Sequence, residues 1–175
     1  ADRRDEHDGW WSAYRKRDGV TLAVNARAAV ARDDPEFLPL VVAIANERLE
    51  TLTVTGESVT LIDDAGLMYP LATYHEARKQ LRERGGPDWW RTSVAPCFLS
   101  LQPKYRYMGA PEFLGETSGG VAHVAAGAVP LPRKFYTCAL VYFVRPPGPL
   151  QGRDFRLRLK TREMGRPLIF PFRID

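Results

Sequence analysis

Catalysis by a cysteine needs a thiolate with a base close to it. The chain has two cysteines, Cys97 and Cys138, and three histidines, His7, His75 and His123. Cys97 with His75 or His123 is the pairing that could supply such chemistry, but no local signature surrounds it. Ser118 stands in Glu116-Thr117-Ser118-Gly119-Gly120, whereas a nucleophile elbow needs glycine where Glu116 is. The histidines are far apart and belong to no H-x-H or H-E-x-x-H unit of the kind that holds zinc. Asp63 and Asp64, with Asp33 and Asp34, offer oxygen ligands suited to calcium, yet Asp63-Asp64-Ala65-Gly66 reads more simply as a turn. The glycines between Gly115 and Gly120 lack the Lys-Ser/Thr that completes a phosphate loop. The motifs therefore point to no catalytic residue, no metal and no cofactor.

Binding chemistry is better represented. Arg156, Arg158 and Lys160 alternate with Phe155, Leu157 and Leu159, and Arg153 and Arg162 flank them. Side chains two apart on a strand stand about 7 Å from each other, close enough to meet successive anionic groups. The bland alternatives are a solvated face or an edge strand guarded by charge. Trp89-Trp90 and Trp10-Trp11 with Tyr14 could anchor a protein or stack on sugars. Paired aromatics more often plug the open end of a sandwich. No nucleic-acid reading motif is present, so nucleic acid is not an expected partner.

The elements that would carry these residues repeat with a period of two, the mark of strands with one buried face. Val20, Leu22, Val24, Ala26 and Ala28 alternate with polar or small residues; Leu38 to Ala45 is apolar on both faces and should be central, and Asn46 closes it. Leu52 and Val54 alternate, Gly56 interrupts, and Val59 and Leu61 resume, which predicts either a bulge or a bend where the chain changes sheets. Asp63 to Gly66 predicts a hairpin leading into a strand at 67–72. Thr73-Tyr74-His75-Glu76 matches a capping box, and Gly85-Gly86-Pro87 a stop, so a short helix is expected near 74–84. The stretch 88–134 is weakly patterned, with a short strand suggested at 105–108. Tyr136 to Val144 is a second segment apolar on both faces, and two further strands follow.

At 175 residues and 45% apolar composition the chain fits one domain with a core of its own. The division is an N-terminal arm at 1–15, polar then aromatic, and a single domain at 16–175 with a long excursion at 88–134. No apolar run approaches the ~20 residues of a membrane helix. The net charge of +4, mostly from arginine, favours weak attraction to anionic surfaces. The polar start after Ala1 fits a chain whose export signal has been removed, with any lipid-anchor cysteine gone; an internal fragment is the alternative. Cys97 and Cys138 are a candidate disulfide, and in the chain-entropy model such a loop stabilises by roughly 4 kcal/mol. Two buried free thiols are the other reading.

Two blocks carry a family resemblance. The first runs from Val41 to Asn46, through Leu52-Thr53-Val54, to Val59-Thr60-Leu61-Ile62-Asp63-Asp64-Ala65-Gly66 and Tyr69; the second runs from Tyr136 to Val144, through Pro146-Pro147-Gly148, into the last two strands. Over about half of the chain this resembles the immunoglobulin-like, telokin-like sandwiches of secreted bacterial lipoproteins of unknown function. The patterning gives seven or eight strands, and the resemblance implies that they form an all-β, mainly antiparallel, two-sheet sandwich, periplasmic or extracellular. It implies no catalytic residues. The function expected is a non-catalytic module binding a protein or envelope component through loops around Trp89 to Gly120 and the basic strand face. The alternatives are an enzyme built around Cys97 and His75 or His123, and a binder of anionic polymers through Arg156, Arg158 and Lys160.

Overall fold

The computed structural model describes residues 4–5, 13–31, 34–72, 104–108 and 128–174. Among these the chain forms twelve strands: β1 (Arg4–Asp5), β2 (Ala13–Arg17), β3 (Val20–Asn25), β4 (Phe37–Asn46), β5 (Thr51–Thr55), β6 (Val59–Ile62), β7 (Met68–Pro70), β8 (Arg106–Tyr107), β9 (Ala128–Pro132), β10 (Phe135–Val144), β11 (Asp154–Leu159) and β12 (Leu168–Arg173). One sheet runs β1-β2-β3-β4-β10-β8, a second runs β12-β11-β6-β7, and β5 pairs with β9. Every pair is antiparallel except β10 with β8. The fold is the expected all-β sandwich, with more strands than the seven or eight anticipated. The excess is made of short pieces and of one stretch, 51–62, divided at Gly56 into β5 and β6, which join different sheets.

Alternation explains the layers. Leu22, Leu40, Ile44, Val141 and Phe143 of the larger sheet meet Leu61, Phe155, Leu157, Leu168 and Phe170 of the smaller one in the main core, which Leu52, Val54 and Leu131 close at one side. The opposite face of the larger sheet is buried too: Ala23, Val41, Ala43, Tyr136, Cys138, Leu140 and Tyr142 form a second cluster with Ala28, Phe37 and Tyr105. That is why β4 and β10 lack a polar face. They are central, and they pair along their whole lengths, from Phe37↔Val144 to Asn46↔Phe135.

Three prolines test this arrangement. Pro39 lies inside β4 opposite Tyr142, whose carbonyl turns the other way to accept from the Ala72 amide. The Pro39 nitrogen therefore faces away from β10, on the side where β3 has ended at Asn25↔Val41, and no ladder bond is lost. In β9, the same reasoning covers Pro130 and Pro132. The Arg133 amide donates to Glu50 O, which puts Leu131 and Val129 in register to bond β5 and aims both proline nitrogens outward.

The strand expected through Ala28 stops at Asn25. Its Oδ1 accepts from the Arg27 amide at 2.9 Å, and a one-turn helix, α1 (Arg27–Ala31), follows. A side chain that satisfies an amide two residues on competes with the sheet ladder, and here it wins. The helix expected near 74–84 lies outside the described residues. No helix among the described residues is long and apolar enough to cross a membrane.

Asn46 ends β4 fully buried. Its Nδ2 donates to Leu49 O at 3.0 Å and Leu131 O at 2.8 Å, and its Oδ1 accepts from Leu49 N at 3.0 Å. One amide thus joins β4, the turn into β5, and β9. We expect Asn46→Ala to cost about 2–3 kcal/mol by leaving these groups unsatisfied, and Asn46→Asp to cost as much, since a carboxylate supplies no donor to the two carbonyls. Urea unfolding measures both; a neutral Asn46→Asp contradicts this account.

The outward edge of β5 is guarded by side chains. Thr53 N donates to Glu163 Oε2 at 3.1 Å and Thr55 N to Ser58 Oγ at 2.9 Å, while Arg162 Nε holds Glu163 Oε1 at 2.7 Å. Partial burial alone would raise the Glu163 pKa. Hydrogen bonds from Thr53 and Arg162 outweigh it and bring the value down to about 2. A folded pKa below the unfolded one stabilises above the ordinary carboxylate range, and the gain is lost as pH falls through the folded value. The pH dependence of stability between about 4.5 and 2 is therefore expected to flatten in Glu163→Gln. Unchanged slopes in acid denaturation would argue against it.

Candidate interaction surface

The exposed face of the smaller sheet is laid out by its register. Arg156 sits between Pro171 of β12 and Ile62 of β6, with Met68 of β7 beyond; Arg158 sits between Ile169 and Thr60, with Pro70 beyond. Asp154 and Arg173 complete one end. β11 is thus an interior strand of its sheet, not a charge-guarded edge. Its arginines form a central column flanked by apolar side chains. Met68 is 65% exposed and Leu67, in the turn before it, 58%.

The basic row is not uniform. Lys160 Nζ turns back to donate to Met164 O. Arg156 reaches Asp63 O at 3.4 Å. The Arg158 side chain makes no hydrogen bond or ion pair among the described residues. Beside Arg156 an open groove of about 480 Å³ is lined by Asp64, Asp154, Phe155, Arg156, Pro171, Phe172 and Arg173. Its charges are of both signs. The basic alternation in the sequence marks Arg156, Arg158 and Lys160 but not Arg173, Ile169, Pro171 and Met68. The inward series Leu168, Phe170 and Phe172 implied the first three of these by alternation.

The tip of this face is held by a buried carboxylate. Asp63 is 2% exposed; Oδ1 accepts from Leu67 N at 2.8 Å, and Oδ2 accepts from Tyr69 Oη at 3.0 Å and Arg153 at 3.4 Å. Gly66, at φ +86, closes the turn onto Asp63 O. Arg153 also donates to Asp64 Oδ1 at 2.9 Å and Pro147 O at 2.8 Å, and its guanidinium lies over the Phe155 ring. Burial and the bond to Asp63 push the Tyr69 hydroxyl above its usual pKa, and the Arg153 hydrogen bond holds Asp64 below its own. The aspartates are thus committed to a turn and its clamp.

The remaining candidates separate plainly. Asp34 is buried and caps the start of β4, accepting from Glu36 N at 2.9 Å and Phe37 N at 3.0 Å. Among the described residues no group of His, Cys, Asp and Glu side chains could hold a metal. Cys138 is fully buried and disulfide-bonded. The chain's other cysteine, Cys97, lies outside the described residues, as do His7, His75, His123, Ser118, Asp33, Trp10, Trp11, Trp89 and Trp90.

No known protein family, curated protein or solved structure matches this chain. The surface must therefore be judged on its chemistry. It offers arginine and apolar side chains side by side on one sheet face, residue types found at the centre of protein interfaces.

The clamp makes a quantitative prediction. Tyr69→Phe removes one bond to a buried carboxylate and is expected to cost about 1–2 kcal/mol, and Asp63→Ala, which orphans several donors, about 3 kcal/mol. Equal and negligible losses in thermal unfolding would show that the turn does not need the carboxylate.

Proposed function

We propose that this chain is a non-catalytic binding module of the bacterial cell envelope that docks a protein on the outer face of the β12-β11-β6-β7 sheet. One observation carries the reading: both faces of β4 and β10 are buried, while the smaller sheet presents Arg156 and Arg158 between Met68, Ile169 and Pro171. The partner that fits presents carboxylates set among apolar side chains. Arginine suits such a site because its planar fork engages carboxylates bidentately and its stem packs on apolar neighbours.

Two further points support the compartment and class. A disulfide at Cys138 suits an oxidising compartment, in line with the resemblance to secreted immunoglobulin-like lipoprotein domains. It also weighs against a cysteine enzyme, because Cys97 is the chain's only other cysteine and a disulfide has no thiolate to attack with. Titration of the native, unreduced protein is expected to find no free thiol and, after denaturing reduction, two; a reactive Cys97 would favour the enzyme instead.

Docking is tested with a photo-crosslinker in place of Met68 in envelope extracts of the producing cell. We expect a discrete adduct with an acidic protein, lost when Arg158→Glu is added and weakened at least tenfold in solution, as for a central interface arginine. Equal capture by the charge-reversed variant overturns the assignment.

A further inference from the structure

A second charged surface lies elsewhere, at one end of the larger sheet. Val20 and Phe135 both pair with Asn46, and Phe135 also pairs with Arg106. This register sets side by side the end of β2, the turn after β4, the corner between β9 and β10, and the residues leading into β8. Each contributes a cation: Lys16, Arg48, Lys134 and Lys104. We propose that these four side chains form a binding site for a phosphate-type anion, independent of the protein-docking face.

The cluster is concentrated and partly built. Lys16 is half-buried and paired with Glu47. Its ammonium is depressed below the usual lysine value, first by burial and then by repulsion from Arg48, Lys104 and Lys134, so the three stand within electrostatic reach of it. Those three are exposed and face solvent. Asp18 and Glu50, the other nearby carboxylates, are exposed as well and lie on turns of the same end.

Two positions are shaped around the cluster. Gly19 has φ +79, and a Cβ there would come within 2.5 Å of Arg48 Cβ and 2.7 Å of its Cγ. The Arg48 stem thus lies directly on the glycine backbone, whose carbonyl accepts from Glu47 N at 2.7 Å. Lys134 sits in the left-handed region at φ +68, donating its amide to Asn46 O at 2.7 Å. Glycine or asparagine adopts that conformation at less cost. A lysine there adds backbone strain to like-charge repulsion, the reverse of what stability alone would place. Strain of this kind is a pointer to function, and a multiply charged oxyanion would relieve the repulsion while accepting several charge-assisted bonds.

The unusual conformation separates binding from folding. Lys134→Gly removes the charge and the strain together, so its melting temperature should hold or rise while anion affinity falls about tenfold, the loss of one charge-assisted hydrogen bond. The probes are inorganic pyrophosphate, followed by calorimetry, and vesicles of phosphatidylglycerol in phosphatidylcholine, followed by sedimentation. Wild type, Lys134→Gly, Arg48→Ala and, as a control on the other surface, Arg158→Glu are compared. Pyrophosphate binding weakened by the first two variants and kept by the third identifies a free phosphate ligand. Vesicle binding with the same pattern, without pyrophosphate binding, identifies a lipid headgroup. Absence of binding to either probe, or equal binding by Lys134→Gly and wild type, overturns the proposal.

Discussion

The molecule depends on the pairing of β4 with β10. Ten residues of each strand lie in continuous register, and nearly all of them are buried on both faces. Burial of apolar surface on two sides contributes roughly 25 cal/mol per Å² on each, and it denies the pair any solvated face. Everything else is placed by this ladder. β3 takes one edge; the other is shared by β8, parallel beside Phe135 and Tyr136, and by Leu71 and Ala72 beside Phe143 and Tyr142. The disulfide at Cys138 sits in the middle of β10 on the face away from the main core.

A two-sided core raises the cost of every polar group near it, because a buried donor or acceptor without a partner loses more than a satisfied one gains. The chain answers with short-range side-chain bonds at strand ends. Asn25 starts α1, Asp34 opens β4, Asn46 closes it, and Asp63 binds the hairpin between β6 and β7. Each converts a strand end into a fixed geometry. The Asp63 clamp has the widest reach: through Arg153 it ties the hairpin to the start of β11, and so sets where Arg156 and Met68 stand relative to each other.

Much of this was legible in period-two patterning, and the failures have physical causes. The doubly apolar sequences of β4 and β10 mark them as central. Gly56 marked the change of sheet, and Asp63 to Gly66 the hairpin. β9 was hidden because Pro130 and Pro132 count against a strand until one knows that both nitrogens face away from β5. β2, Ala13–Arg17, carries three cations in five residues and has little apolar alternation to reveal it. The short helix after Asn25 depends on one side-chain bond that composition does not distinguish from a strand continuing. The arginine column was visible, but its meaning was not: alternation cannot tell an interior strand from an edge, and it cannot foresee that Lys160 folds back onto Met164 O.

The two cationic surfaces differ in how their charge is compensated, and that difference separates their chemistry. On β11 the positive groups are interleaved with carbonyls, aspartates and apolar neighbours: Arg156 touches Asp63 O, Asp154 stands opposite Arg173, and Ile169 and Pro171 fill the gaps. Little net field extends from such a face, so the docking proposed for it rests on shape and desolvated contact, the terms that govern protein interfaces. At the sheet end the cations come from four separate segments of the chain, with Glu47 ion-paired to Lys16 and with Asp18 and Glu50 on nearby turns. An excess of positive charge exposed at the rim projects its field into solvent, where it acts on small or flexible anions before contact and weakens with added salt. Net charge alone, +4 for the chain, could not distinguish these cases. The distinction arises only when the register brings Lys16, Arg48, Lys104 and Lys134 together and leaves Arg158 among hydrophobic side chains.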